Sequence, residues 1–285
     1  MFITINGARL YFDVENSGLV ADGAKMRSKP PLILLHGGPG ADHTIYKPAF
    51  AALGDCAQII YLDHRGNGRS TGDDPATWNL AQWADDLKSF CDVLGIEKPI
   101  VFGASFGGFV AQAYATRHPD HPAKLILAST AAKIDFSVMF DAFGRRGGTE
   151  ARTIAEAHWT KPTAETRARF FKVCLPLYTT RSTGPPDWLQ RAIVKSAVAL
   201  HFNGMLNELG RMDFRAALAR VACPTLVLAG DCDPVMPMPF SEVIAASLPR
   251  HLVQFERFTN CGHGIIPDEP ERAFQIIRAF IAKAP

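Results

Sequence analysis

The chain has 285 residues, of which 47% are hydrophobic and 20% charged, with a formal net charge of +2. That mixture supports a sizeable globular core and excludes an intrinsically disordered chain. Lys and Arg are scattered, so no basic patch for nucleic acid or an anionic membrane stands out, and a small, weakly charged substrate is the expected partner.

The opening residues MFITINGARLYFDVEN read as a hairpin of short strands over 2–6 and 9–14. They lack the basic start and apolar core of a secretory signal, and no apolar run reaches membrane-spanning length, so a cytoplasmic protein is expected. Residues 16–30 carry Gly, Ser and charges without periodicity and read as a surface loop. PPLILLHGGPG and AQIIYLDHRGNGRS are short branched apolar runs ending in glycines, as parallel strands buried on both faces do. In NLAQWADDLKSFCDVLG, Trp83, Leu87, Phe90, Cys91 and Leu94 share one helical stripe, with Asn79 as cap and Gly95 as stop. KPIVFGAS, AKLILAST and CPTLVLAGD repeat the buried-strand type. The last helix, EPERAFQIIRAFIAK, turns Ala273, Ile276, Ile277 and Phe280 inward. Strands alternating with helices predict an α/β fold with a mainly parallel sheet.

Between Ala131 and about Val221 no β-type run appears, while Phe136, Phe140, Trp159, Phe170 and Phe202 recur among charged residues. This predicts a helical insertion over 131–221 in a core formed by 1–130 and 222–285. Six cysteines, Cys56, Cys91, Cys174, Cys223, Cys232 and Cys261, are irregularly spaced without a CxxC pair. Free buried thiols are expected.

The stretch VFGASFGGFVAQAYA sets one serine among glycines where a strand runs into a helix. A sharp strand-to-helix turn crowds its neighbours, so Gly103 and Gly107 supply room while Ser105 is held up above the sheet edge. This is the G-x-S-x-G nucleophile elbow in the context it requires. A serine hydroxyl needs a base, and the base needs a third group that fixes its tautomer. In this arrangement the acid and then the histidine follow the serine. The loop DCDPVMP after a strand offers Asp231 and Asp233, and position alone does not choose between them. FTNCGHGIIPDEP sets His263 between two glycines in a later loop. His251 begins a strand at a surface-like position, which leaves His263 as the base.

Glycines in LLHGGPG let the backbone approach a substrate, so the amides of Gly38 and Phe106 are expected to form an oxyanion hole. His36 reads as structural. Asp63, Arg65 and Ser70 of LDHRGNGRS are expected to tie neighbouring loops. No metal spacing such as HExxH occurs, and GGPG has neither phosphate-loop frame, so neither metal nor cofactor is expected.

HGGPG, DHRGNGRS, GASFGG, GDCDP and GHG, in that order, resemble the α/β-hydrolase superfamily, and HGGPG with D-x-R-G-x-G-x-S most resembles its proline iminopeptidase branch. The resemblance implies Ser105 as nucleophile, Asp233 as acid in preference to Asp231, His263 as base, and the insertion as a helical cap over the site. It also implies cap glutamates that hold a substrate's amino group. Here Val198 and Ala199 stand where such a glutamate is expected, with Glu208 and Asp213 nearby, so aminopeptidase activity is not the first expectation. Phe109, Phe136, Phe140, Trp159, Phe202 and Met205 are expected to line a pocket for a partly hydrophobic group. The leading expectation is a cofactor-independent serine hydrolase of a small ester, lactone or amide. A lyase or perhydrolase on the same triad, and a ligand receptor, are the alternatives.

Overall fold

A computed structural model describes residues 1–181 and 187–283, the side chain of Trp188 excepted. Strands β1 (Phe2–Ile5) and β2 (Ala8–Glu15) form the expected hairpin. Asn6 and Gly7 both take positive φ, 47° and 78°, which a two-residue loop needs if its twist is to match the strands. Residues read as a loop instead hold a second hairpin, β3 (Leu19–Asp22) and β4 (Lys25–Ser28). Most of its residues are exposed, so it carries no apolar alternation by which sequence could reveal it.

The core strands are β5 (Pro31–Leu35), β6 (Gln58–Leu62), β7 (Ile100–Ala104), β8 (Lys124–Ala128), β9 (Thr225–Gly230) and β10 (Val253–Phe258). With the first hairpin they make an eight-stranded sheet in the order β1-β2-β6-β5-β7-β8-β9-β10. The pairings are parallel from β6 through β10 and antiparallel at β1–β2 and β2–β6. Alternate residues of these strands serve two cores. Ile33, Leu35, Leu125, Leu127 and Val227 enter one apolar cluster, and Leu32, Leu34, Ile126, Leu226 and Leu228 the other. A period-two chain buried on both faces has to be apolar throughout, which is why these strands read as unbroken runs.

Helices cover both faces. Helix α1 (Leu80–Leu94) begins where the Asn79 side chain accepts from the Gln82 amide at 2.9 Å and stops at Gly95, whose φ is 65°. Trp83, Leu87, Phe90 and Cys91 are buried as expected; Leu94 is 39% exposed, because the last turn overhangs the core. Helix α2 (Phe106–Arg117) is buried along almost its whole length behind β7.

Between β8 and β9 the described residues form helices only: α3 (Phe136–Thr160, interrupted at Gly148), α4 (Ala164–Val173), α5 (Asp187–Arg191), α6 (Ser196–Phe202), α7 (Glu208–Arg211) and α8 (Arg215–Leu218). Residues 182–186 of the expected insertion lie outside the described residues. The Asp135 side chain caps α3, and a Thr163–Thr166 capping box opens α4. Helices α9 (Met238–Ser247), α10 (Ile265–Asp268) and α11 (Pro270–Ala282) complete the chain. Ala273, Ile277 and Phe280 of α11 are buried, and Ile276 packs partly buried beside them. No described helix is long and apolar enough to cross a membrane.

Candidate active site

Strand β7 passes into α2 through Ser105, which sits at φ 53° and ψ −119°. A non-glycine residue there is strained by about 1–3 kcal/mol and persists only where its surroundings hold it. They do: the Ser105 amide donates to the Ala128 carbonyl at 3.0 Å, while its own carbonyl accepts from Gly108 N at 2.9 Å and from the Thr130 hydroxyl at 2.9 Å. A Cβ on Gly103 would overlap the Gly107 carbonyl, and one on Gly107 would overlap the Leu35 carbonyl. Both glycines are thus required by close backbone packing. Gly107→Ala is expected to destabilise the protein by about 3 kcal/mol, the upper range for overpacking, read as a lower urea midpoint with unchanged slope.

The loop after β9 carries Asp233, and the loop after β10 carries His263. His263 Nδ1 and Asp233 Oδ2 are 2.8 Å apart, and the other carboxylate oxygen accepts from the Val235 and Met236 amides at 2.8 and 2.9 Å. The carboxylate is fully buried while the imidazole keeps some exposure. Asp231, the alternative acid, instead accepts from the Cys261 amide at 3.3 Å. The three side chains come from the carboxyl ends of β7, β9 and β10, where open α/β sheets bind ligands.

Gly38, at φ 62°, lines one cavity together with Phe106, Ser105 and His263. Phe106 opens α2, so its amide belongs to the first turn, which has no intrahelical acceptor. The loop carrying Gly38 is fixed from outside: the Gly40 amide donates to Asn67 Oδ1 at 2.6 Å and its carbonyl accepts from Lys195 N at 2.7 Å. His36 is buried, accepts from the His64 amide through Nε2 at 3.3 Å, and is held below its ordinary pKa by burial. Asp63 accepts from the His43 and Arg69 amides, each at 2.9 Å, and its carbonyl accepts from the Ser70 hydroxyl at 2.7 Å. The Arg65 guanidinium makes a bidentate pair with buried Asp86 at 2.7 and 2.8 Å. These residues join loops, and none of them lines the cavity.

That cavity encloses about 570 Å³ between the sheet's carboxyl edge and the helices that follow β8. Of the six residues expected to line it, Phe109 and Trp159 do. The other four expectations are corrected. Phe202 is fully buried behind Phe106, edge-on to it with ring centres 5.0 Å apart, and so belongs to the packing beneath the site. Phe136 and Phe140 pack on each other, 6.1 Å apart, and join the main core. Met205 is 41% exposed and its amide donates to the Trp159 carbonyl at 2.9 Å. Helical spacing shows that such residues are apolar-facing, but two apolar faces were open to them, and Phe136, Phe140 and Phe202 took the packing face.

Two residues beside the His263 loop carried no motif. Tyr178 presents its ring edge-on to His263, with centres 5.0 Å apart. Asp268, fully buried, accepts from the Gly262 amide at 2.7 Å and the Thr180 amide at 3.1 Å, tying the His263 loop to the segment after α4. Only the register between two distant loops creates that tie. All six cysteines are free, and burial pushes the Cys261 thiol beside the His263 loop up to about 12.

Residues 30–270 match the model for the alpha/beta hydrolase fold, and the chain belongs to that family. A protein named "Putative carbamate hydrolase RutD" from Caulobacter vibrioides is 27% identical over 264 residues, 89% of this chain and 91% of its own. Proline iminopeptidase PfmaB of Pestalotiopsis fici is 27% identical over 294 residues, 99% of both chains. Among solved structures, an esterase from Thermogutta terrifontis is similar at 28% identity with a TM-score of 0.72, over 99% of this chain and 97% of its own.

Proposed function

We propose that the protein is a serine hydrolase that cleaves a small, partly hydrophobic ester, lactone or amide through an acyl-enzyme. The observation that carries this reading is the His263 imidazole bound to buried Asp233 in the wall of the cavity that also contains the strained Ser105 elbow. In this reading His263 Nε2 takes the Ser105 proton as Oγ attacks the substrate carbonyl. Charge on the former carbonyl oxygen is met by the Gly38 and Phe106 amides. The tetrahedral intermediate then collapses, the carbon–leaving-group bond breaks, and His263 returns the proton to the leaving group. Water, deprotonated by the same imidazole, attacks the acyl carbon; the acyl–Oγ bond then breaks, His263 returns the proton to Ser105 Oγ, and the acid is released. The helices between β8 and β9 act as a cap that keeps bulk water off these steps, a role supported by Trp159 and Phe170 in the cavity wall.

An aminopeptidase of the proline iminopeptidase type fits less well. None of the described cavity residues is a carboxylate. Glu208 accepts from the Leu80 amide at 3.2 Å, and Asp213 is engaged by Arg215 and Lys133. An ammonium ion brought into this cavity would lose its hydration without gaining a partner, at a cost of several kcal/mol. Hydrolysis of p-nitrophenyl butyrate should therefore exceed hydrolysis of proline p-nitroanilide by at least about 100-fold in kcat/KM, the discrimination a site exerts against a group it leaves unpaired. Faster cleavage of the prolyl anilide would overturn the preference. A fluorophosphonate probe that failed to label the protein would favour a receptor over any serine enzyme.

A further inference from the structure

Among the described residues the cavity wall has one arginine and no carboxylate to neutralise it. Arg167, on α4, lines the wall with its guanidinium carbon 4.2 Å above the centre of the Phe171 ring. No described carboxylate pairs with it, and two acidic residues of α3, Asp141 and Glu156, are both engaged by Arg152. The groups that face it are Phe171, the Tyr178 phenol and His158. Burial holds the His158 imidazole down at about 4, so it is neutral at pH 7. In the same wall, the Trp159 Nε1–H, a donor only, and His158 Nδ1 are buried without hydrogen-bond partners among the described residues. Buried polar groups nearly always find partners, and an unpaired half-buried cation in an apolar wall is rarer still.

We propose that the substrate carries a carboxylate at the end remote from the scissile bond, and that Arg167 receives it. This rests on the serine-hydrolase reading above and specifies its substrate class. Cation–ring contact with Phe171 holds the planar guanidinium in place, and its donor fork matches a carboxylate in two parallel bonds. Ring centres step 5.0 Å from His263 to Tyr178 and 6.3 Å from Tyr178 to Phe170, the α4 residue beside this end of the cavity. The proposed substrate is accordingly a medium-length acyl chain lying along the apolar walls. Composition alone pointed to a weakly charged substrate; one terminal charge on an otherwise apolar chain stays within that expectation.

The test compares mono-p-nitrophenyl suberate with p-nitrophenyl octanoate, equal in carbon count and different in the terminal carboxylate. Arg167→Gln should lower the suberate-to-octanoate ratio of kcat/KM about ten- to a hundredfold, as loss of a hydrogen-bonded ion pair does, chiefly through KM for the suberate ester. Arg167→Lys should restore part of the ratio. Thermal unfolding of each variant checks that the fold is intact. A ratio unmoved by Arg167→Gln overturns the proposal. Calorimetry with Ser105→Ala protein and monomethyl suberate separates the two readings. If the wild-type protein hydrolyses neither ester and resists the fluorophosphonate probe, the hydrolase reading fails. Half-ester binding that weakens at least tenfold on adding Arg167→Gln would still support the anion site, and absence of such binding would overturn it.

Discussion

Ser105→Ala is expected to lower kcat on p-nitrophenyl butyrate by about 10⁶-fold, the size seen when a serine nucleophile is removed from a complete triad. The expectation follows from how the alcohol is held. The elbow backbone is fixed by hydrogen bonds from three sides and by glycines that admit no side chain, so alanine, which keeps the same Cβ, should leave the fold unchanged. In the proposed mechanism, loss of the oxygen then removes the step that forms the acyl-enzyme. Background hydrolysis of about 10³-fold over water is expected to survive through the amide donors and binding. Burst kinetics give a second check: the wild-type protein should release one equivalent of p-nitrophenol faster than steady state if deacylation limits, and the variant none. Full activity in Ser105→Ala would end the serine mechanism.

Asp233→Asn is expected to cost about 10⁴-fold in kcat with little change in KM. Asp233 Oδ1 accepts from two backbone amides, those of Val235 and Met236. An asparagine must keep its carbonyl oxygen there, which turns its NH₂ toward His263 Nδ1. The imidazole then has to accept at Nδ1 and carry its proton on Nε2, the nitrogen that should take the proton from Ser105. Hydrogen-bond geometry is retained while the tautomer is wrong. In the proposed mechanism serine, histidine and acid act as a unit, so adding Asp233→Asn to Ser105→Ala should lower the rate by far less than it does alone. Asp231→Asn, whose parent carboxylate accepts from the Cys261 amide and not from His263, should change kcat by less than about tenfold, since it weakens a neutral-donor hydrogen bond worth about 1 kcal/mol.

Much of this architecture could be read from the chain because it depends on short-range constraints. The apolar runs of β5 to β9 need no partner to be recognised, since burial on both faces forbids polar interruption. The elbow is local too: a strand, a tight turn and a helix within VFGASFGGF leave few alternatives to glycine on either side of Ser105. Asn79 and Gly95 marked the ends of α1 by their own side-chain and backbone chemistry. By contrast, the hairpin at 19–28 left no trace, because it packs against nothing that would impose alternation.

The amino-acid sequence by itself determined the α/β sheet, its doubly covered strands and the motifs on the loops at its edge, because each is marked by a pattern among residues close in the chain, an unbroken apolar run or a glycine-rich turn, even though the strands pair over long separations. Tertiary structure alone decided which apolar side chains of the helical segment face the cavity and which pack beneath it, so that Trp159 faces inward while Phe202 does not. It also decided that Arg167 ends in a wall without a carboxylate and that Asp268 joins two distant loops. The physical reason is common to these cases: an amphipathic helix specifies that one face is buried, but which of two apolar surroundings it meets is set by the docking of segments many residues apart.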